Sequence, residues 1–506
     1  MMKQTQEQLK ITQGLPRIVA QASIEGDLEL PAGSADMGSI LSVEAYPDIQ
    51  SAEAVEDGVV MDGTADITVL YVDTEGSPEG ITLTTGFKHT AQAAGVTPGM
   101  DVEAEPQIVN LTYEMTGPRS ITVQAVVEMD IAAQGERDVS VMQNAAADGL
   151  QLLAQRRPVP DRCCMQSSST VVREDIAVAQ GEPPAVRVLS CRGWSRVNSS
   201  RFEDRRLIVR GTLFLTITYA TANPRRPAAQ VVRSLPFEQM LPMDGCTSCD
   251  RKRVRSFVRD ANCRMEDEGR VFAAAATIVV SARCCDMRML ETVADAYSTQ
   301  RRIGVTPIDI GYQGNPVEAG GPVSLREMAP VPEGMPAMEE PMFILATPMV
   351  TGKMATEGAL SVEGLVTCRV VYLTQEGMLA AYPVEVPFMS QMRAEGAEDG
   401  MDVAAKAMVE QVSMGMNGEL RIELQIEAQA AGMERMTAVA ELSEEGELET
   451  GRGIIVHFTG ETDTPWSIAK EYALTPEELA KMNPGMKGEV AMGQKIIIFK
   501  PFEMPM

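Results

Sequence analysis

Gly63-Thr64-Ala65-Asp66-Ile67-Thr68-Val69-Leu70-Tyr71 decides the fold. Its β-branched and apolar residues alternate with polar ones, the mark of a half-buried strand. The same frame returns at Gly211-Thr212-Leu213-Phe214-Leu215-Thr216-Ile217-Thr218-Tyr219 and at Gly364-Leu365-Val366-Thr367-Cys368-Arg369-Val370-Val371-Tyr372, each time with Gly eight residues before Tyr. Phe87, Phe237 and Phe388 follow the tyrosines by 16, 18 and 16 residues. Gly99-Met100-Asp101-Val102 and Gly400-Met401-Asp402-Val403 lie 12 residues beyond the first and third Phe. Each copy closes on another alternating run, at Ser120–Val127, Arg270–Val280 and Glu419–Ile426. A period of about 150 residues is too long for a solenoid turn, so the repeat is a domain-sized unit present three times.

Strands recur at short intervals between turn residues, with few helical stretches, which predicts an antiparallel sandwich. The fold class is therefore mainly β: three tandem β-sandwich-like repeats plus a small βααβ unit. The expected domains are 1–147, 148–300 and 301–440 for the repeats, 441–453 for an acidic linker, and 454–506 for the tail unit. One helix is expected at Val141–Gln155, bridging repeats one and two. Gly304–Glu340, rich in Pro, Gly and Met, reads as an irregular and mobile lead-in to repeat three. Its methionines Met328, Met335 and Met338, with Met342 and Met349 beyond, read as a loosely packed loop or an adaptable docking surface. The three repeats are expected to line up as a rigid rod.

Composition narrows the chemistry. The 506 residues include only two histidines, His89 and His457, which leaves little for a Ser-His-Asp triad or a multi-histidine metal site. No Walker-type or His-Glu-x-x-His motif occurs, and the carboxylates form no convincing acid/base pair. Net charge is −27, which disfavours nucleic-acid binding. No apolar run of membrane-spanning length is present, and the polar N-terminus has no signal-like core. The chain is thus expected in the cytosol, with its nine cysteines mostly reduced.

Eight of those cysteines fall in repeat two: Cys163, Cys164, Cys191, Cys246, Cys249, Cys263, Cys284 and Cys285. Cys246-x-x-Cys249 has the spacing of a zinc or redox site, but no second such pair accompanies it. Unliganded thiols, a metal site at Cys246 and Cys249, and disulfide or redox use all stay open. Residues 156–302 carry 25 Lys and Arg against 16 Asp and Glu, a net of +9, which leaves −36 for the remainder. All these bases but Lys252 are arginines, and Arg251-Lys252-Arg253-Val254-Arg255 is the densest cluster. A solvated surface with local pairing, contact with an acidic repeat of another copy, and anionic lipid headgroups are the three uses considered.

The tail unit reads strand (Ile454–Phe458), helix opening at Thr464-Pro465, helix opening with the capping box Thr475 to Glu478, and strand (Lys495–Phe499). Asp463-Thr464-Pro465-Trp466-Ser467-Ile468-Ala469, Asn483-Pro484 and Gly493-Gln494-Lys495-Ile496 resemble the motifs of a LysM domain. That resemblance implies a shallow N-acetylglucosamine groove with Thr462, Asp463, Thr464 and Pro465 facing Asn483, Pro484, Gly485 and Met486. The usual Gly-Asp-Thr is here two residues longer, Gly460-Glu461-Thr462-Asp463-Thr464, inside the groove itself. Trp466 and Tyr472 read as core of this unit, and His457 as an exposed spacer. The Gly-to-Tyr strand, the Phe and the Gly-Met-x-Val turn resemble the SPOCS-type repeat of endospore formers. Several such repeats followed by one LysM domain resemble the SipL family of spore morphogenetic proteins.

The resemblance implies a scaffold without catalysis or cofactor, acting in the mother-cell cytosol at the forespore surface. Its implied partner is a coat morphogenetic ATPase resembling stage IV sporulation protein A, contacted through the LysM domain. Peptidoglycan binding in the cell wall is the alternative, and an anionic membrane surface a further contact.

Overall fold

A computed structural model describes residues 2–448, 453–486 and 490–500. Repeat one comprises β1 (Lys3–Gly14), β2 (Ile18–Glu29), β3 (Met37–Val55), β4 (Gly58–Asp73), β5 (Pro78–Gln92), β6 (Asp101–Gly117) and β7 (Ser120–Ala146). Sheet β3-β4-β5 packs face to face on sheet β6-β7-β2, and every pairing is antiparallel. Repeat two repeats this with β8 (Leu150–Ala177), β9 (Ala185–Glu203), β10 (Arg206–Thr221), β11 (Ala228–Pro242), β12 (Arg251–Glu266) and β13 (Val271–Ser298). Repeat three does so with β14 (Arg301–Gln313), β15 (Val317–Met328), β16 (Met338–Thr356), β17 (Ala359–Thr374), β18 (Leu379–Arg393), β19 (Asp402–Met414), β20 (Glu419–Ala431) and β21 (Met433–Glu447). The Gly-to-Tyr segment is the central strand of its sheet in all three units, β4, β10 and β17.

The register explains the signature. Gly63 pairs with Phe87, Gly211 with Phe237 and Gly364 with Phe388. Each Phe ring lies across its glycine so closely that an added Cβ would sit inside the ring's contact distance. The glycine makes room for the aromatic and the aromatic covers the bare backbone. The tyrosines close the sandwich end: Tyr71 Oη donates to Ala35 O at 3.0 Å, and Tyr372 Oη to Pro336 O at 2.9 Å.

Beyond each sandwich the chain continues as a two-stranded ribbon. β1 pairs with the far end of β7, and β14 pairs with β21. In repeat two the 28-residue strands β8 and β13 serve sandwich and ribbon without interruption. Pro16 and Pro316, which have no N–H to give a ladder, mark the breaks in the other two. The three ribbons pack against one another in apolar layers to which each repeat contributes. One layer holds Leu9 with Val139, Val159 with Leu290, and Ile310 with Met436. The next holds Met142 with Ala145, Val293 with Ala296, and Val439 with Leu442. A separate cluster, with Leu41, Leu189 and Phe343 among its members, joins the sandwiches themselves. The repeats therefore surround an approximate three-fold axis, which corrects the expected rod. Between these contacts lies a cavity of ≈ 2730 Å³ lined by all three repeats.

Three local expectations also change. Val141–Gln155 is no helix; it is the hairpin joining β7 to β8. A bulge between Met142 and Asn144 turns both Val141 and Met142 inward, and that break in alternation imitates helical spacing. Gly304–Glu340 contains most of β14 and all of β15, so irregular backbone is confined to a short loop before β16. The linker reading of 441–453 fails over Glu441–Glu447, which belongs to β21 and pairs with Arg301–Thr306. Residues 449–452 of that segment lie outside the described residues. Of the methionines, Met328 is 59 % exposed, whereas Met335 and Met338 pack against the repeat-three core. No helix among the described residues is long and apolar enough to cross a membrane.

Candidate functional site

The tail unit consists of β22 (Gly453–Phe458), α1 (Pro465–Glu471), α2 (Pro476–Met482) and β23 (Lys495–Lys500). Both helices begin as their sequences dictate. Thr464 Oγ1 accepts from Ser467 N at 3.0 Å, and Thr475 Oγ1 accepts from Glu478 N at 3.1 Å, each in a capping box with Pro at the first helical turn. Ile468, Ala469, Leu479, Ile496 and Ile498 form the core.

The eight groove residues are unequal. Asp463 Oδ2 accepts from Gly460 N at 2.8 Å and lies 2.9 Å from His457 Nε2. The Gly460 amide first, then His457, holds its carboxyl below the usual carboxylate range. Asn483 Nδ2 donates to Leu479 O at 3.0 Å and Ile497 O at 2.8 Å, while its Oδ1 accepts from Ile497 N at 2.8 Å. Both polar anchors are thus spent on holding their own loops. Thr462, Thr464, Pro484 and Gly485 are exposed, and Pro465 and Met486 are half-buried. Among the described residues no hydrogen bond joins 462–465 to 483–486.

His457 is not the exposed spacer expected. Its side chain is only 14 % exposed, inserted between Asp463 and the Tyr472 hydroxyl. The strand register instead turns Ile454 (72 % exposed), Val456 and Phe458 (67 %) outward. Ile454 pairs with Phe499 and Val456 with Ile497, both also exposed, so five large apolar side chains share one open sheet face. The helical side is occupied. Trp466 Nε1 donates to Asp295 Oδ2 at 2.8 Å, Lys470 Nζ reaches Asp295 Oδ1 at 2.6 Å, and Tyr297 Oη donates to Leu474 O at 2.8 Å. The Tyr297 and Trp466 rings meet edge to face with centroids 4.8 Å apart. Trp466, read from sequence as core, packs against that core and also anchors this unit to the tip of β13.

The family model for the SipL, SPOCS domain matches residues 36–116, 184–266 and 342–417, and the LysM domain model matches 461–499. The chain has the SipL architecture. The SPOCS matches span β3–β6, β9–β12 and β16–β19, so the ribbon strands lie outside them. Both families are non-catalytic, and together they fit a sporulation protein with a peptidoglycan-binding type of module. No curated protein and no solved structure matches the chain.

In repeat two, six of the eight cysteines gather where sandwich becomes ribbon, while Cys191 and Cys263 lie in the sandwich. The β8–β13 register sets Cys163 opposite Cys285 and Cys164 opposite Cys284. Disulfides join Cys163 to Cys285 and Cys249 to Cys284, and the other five of the nine cysteines are free thiols. Strand pairing across 122 residues brings the first pair together, a proximity that cysteine spacing does not reveal. Cys246 Sγ lies 2.8 Å from Cys164 Sγ, and burial, then that contact, pushes its thiol up to about 12. Cys246 and Cys249 therefore face different partners rather than one centre. Among the described residues no group of three or more His, Cys, Asp or Glu side chains is placed to hold a metal. Sequence reasoning missed Asp286, the organiser of this loop. It is 6 % exposed and accepts from the backbone N–H of Thr247 (2.7 Å), Ser248 (2.9 Å) and Cys249 (2.8 Å), and from both hydroxyls.

Most basic residues of this domain are exposed, but several turn toward the other lobes. Arg253 and Arg255 meet Glu103 at 3.2 and 3.1 Å, and Arg255 also pairs with Glu105. Arg259 reaches Asp48, Arg196 pairs with Glu410, and the Arg192 guanidinium stacks 3.6 Å from the Tyr46 ring centroid. Part of the charge imbalance between repeats thus serves contact between lobes of one chain.

Proposed function

We propose that the protein is a non-enzymatic scaffold of endospore coat and cortex assembly, working in the mother cell at the forespore surface. Its SPOCS domains form a three-lobed body, and its LysM domain docks onto a coat-basement ATPase resembling stage IV sporulation protein A. The observation that carries this reading is the open apolar face of Ile454, Val456, Phe458, Ile497 and Phe499. Exposed contiguous apolar surface of this kind marks protein contact. The helical side meanwhile fixes the domain's position, and Asp463 and Asn483 are already committed to internal bonds.

Phe458→Asp with Phe499→Asp is the test, because both side chains are exposed and contribute little to the core. Capture of the purified ATPase should weaken roughly 30-fold or more, as loss of an apolar anchor does, with the melting temperature of the whole chain unchanged. Capture unaffected by these charges, or surviving deletion of residues 454–506, would refute the docking role.

Peptidoglycan binding is the second reading, favoured by the LysM match and by the exposed loop residues Thr462, Thr464, Pro484 and Gly485. Saturable sedimentation with purified peptidoglycan, lost when Thr462 and Pro484 are replaced, would support it. An anionic membrane is the weakest of the contacts, since Arg253 and Arg255 are paired inside the molecule.

A further inference from the structure

A small cavity of ≈ 100 Å³ lies where the three ribbons give way to the sandwiches, bordered by all three repeats. Five of its lining side chains are basic, Arg17, Arg251, Lys252, Arg253 and Arg283, and one is acidic, Asp402. Arg17 is matched by Asp130 at 2.7 Å and Arg253 by Glu103 at 3.2 Å. Among the described residues Arg251, Lys252 and Arg283 form no ion pair. Arg251 Nη1 donates to Gln313 O and Lys252 Nζ to Ser200 O, both at 2.7 Å, which satisfies donors without neutralising charge. Burial pulls Arg283 down from the ordinary arginine range, against the opposing pull of Asp101, Glu103 and Glu136.

Three arginines of this lining each carry a buried guanidinium nitrogen with no acceptor: Arg17 Nη2, Arg251 Nε and Arg253 Nε. A buried donor left unmatched costs about 1–3 kcal/mol, and more when charged. That three occur on arginines bordering one cavity points to an acceptor with several oxygens. One water takes about 10–15 Å³ of such space, so the cavity admits roughly seven to ten non-hydrogen atoms. A tetrahedral oxyanion fits that volume, and a nucleotide does not.

We propose that this cavity binds a small free oxyanion of the phosphate class, which accepts from the unmatched guanidinium groups and ties the three repeats together at the axis. The site is independent of the docking role, and either stands if the other fails.

The test uses the full chain with sodium phosphate as the probe, against sodium chloride at matched ionic strength. Phosphate should bind saturably by calorimetry and raise the melting temperature along the corresponding saturation curve. General salting effects, by contrast, rise without saturation and are common to all variants. Arg251→Met and Arg283→Met should each weaken phosphate at least about tenfold, equivalent to 1.4 kcal/mol. Phosphorus NMR line broadening on the unmodified chain gives a second readout if a variant fails to fold. Phosphate indistinguishable from chloride in the unmodified chain overturns the proposal. So does saturable binding that survives in folded Arg251→Met and Arg283→Met.

Discussion

Replacing Asp295 with Ala should release the LysM domain from the three-lobed body. The carboxylate accepts from Trp466 Nε1 at 2.8 Å and from Lys470 Nζ at 2.6 and 2.8 Å. It is 28 % exposed and Lys470 is 41 % exposed, so the two contacts differ in worth. A hydrogen bond to a charged group contributes about 1.5–3 kcal/mol. An ion pair this open adds at most about 1 kcal/mol. The expected loss is about 2–3 kcal/mol, which lowers the docking equilibrium roughly 30- to 150-fold. The Tyr297 to Leu474 bond and the aromatic contact persist, so the domain spends part of its time detached rather than unfolding. The chain has two tryptophans, Trp194 and Trp466, and Trp194→Phe leaves the docking residue as sole reporter. In that background Asp295→Ala should red-shift the Trp466 emission and accelerate amide exchange across α1. The melting transition of the SPOCS body should stay in place. Unchanged emission and unchanged exchange would refute the claim that this carboxylate anchors the domain.

Three further expectations concern stability and the thiols. Gly364→Ala drives a Cβ into the Phe388 ring and the strand behind it and should cost about 1–3 kcal/mol. Phe388→Ala should cost about 3–5 kcal/mol, and the double variant less than the sum, by denaturant unfolding of the full chain. Burial pushes the Asp286 carboxyl up, but its bonds from Ser248, Thr247 and Cys249 outweigh this and hold it well below the ordinary range. Its folded form binds the proton more weakly than the unfolded chain, so its contribution is complete above the ordinary carboxyl value of about 3.9 and is lost as pH falls through the folded value. Asp286→Asn should therefore lower the melting temperature at neutral pH and narrow its difference from the unmodified chain on the acid side. Thiol titration of the denatured, oxidised chain should find Cys164, Cys191, Cys246, Cys263 and Cys368 reactive, and all nine after reduction. Nine before reduction would contradict the two disulfides.

The sandwich was legible because its determinants are short-range. Alternation along β4, β10 and β17 has period two, and the Gly and Phe that meet across a hairpin are separated by few enough residues to be seen as a motif. The two capped helices of the LysM domain were legible for the same reason. The three-fold hub was not, because each layer joins residues such as Val139, Leu290 and Met436 that share no local pattern. The helix expected at Val141–Gln155 failed on one bulge, since an extra residue in a strand turns period two into something close to a helical turn. Of the candidate groove, the sequence identified the loops but not the internal bonds that occupy Asp463 and Asn483. The facing of β22 was misjudged at His457, which turns inward while Ile454, Val456 and Phe458 face outward. The arginines were visible as a charge excess, while their partners Glu103, Asp48 and Glu410 lie in other repeats.

The circle of lobes has a seam. Tight turns carry the chain from β7 to β8 and from β13 to β14, but nothing covalent leads from the third lobe back to the first. There, side chains close the gap: Gln4 Nε2 donates to Leu442 O at 2.7 Å and Gln6 Nε2 to Ala440 O at 2.8 Å in the ribbons, and Arg369 bonds the Tyr113 hydroxyl between the sandwiches. Gln4 and Leu442 therefore sit at neighbouring points on the two ribbons. Bridging that seam and cutting one of the existing turns would set the three lobes in a new chain order, and would displace the LysM domain, which follows β21 in the chain.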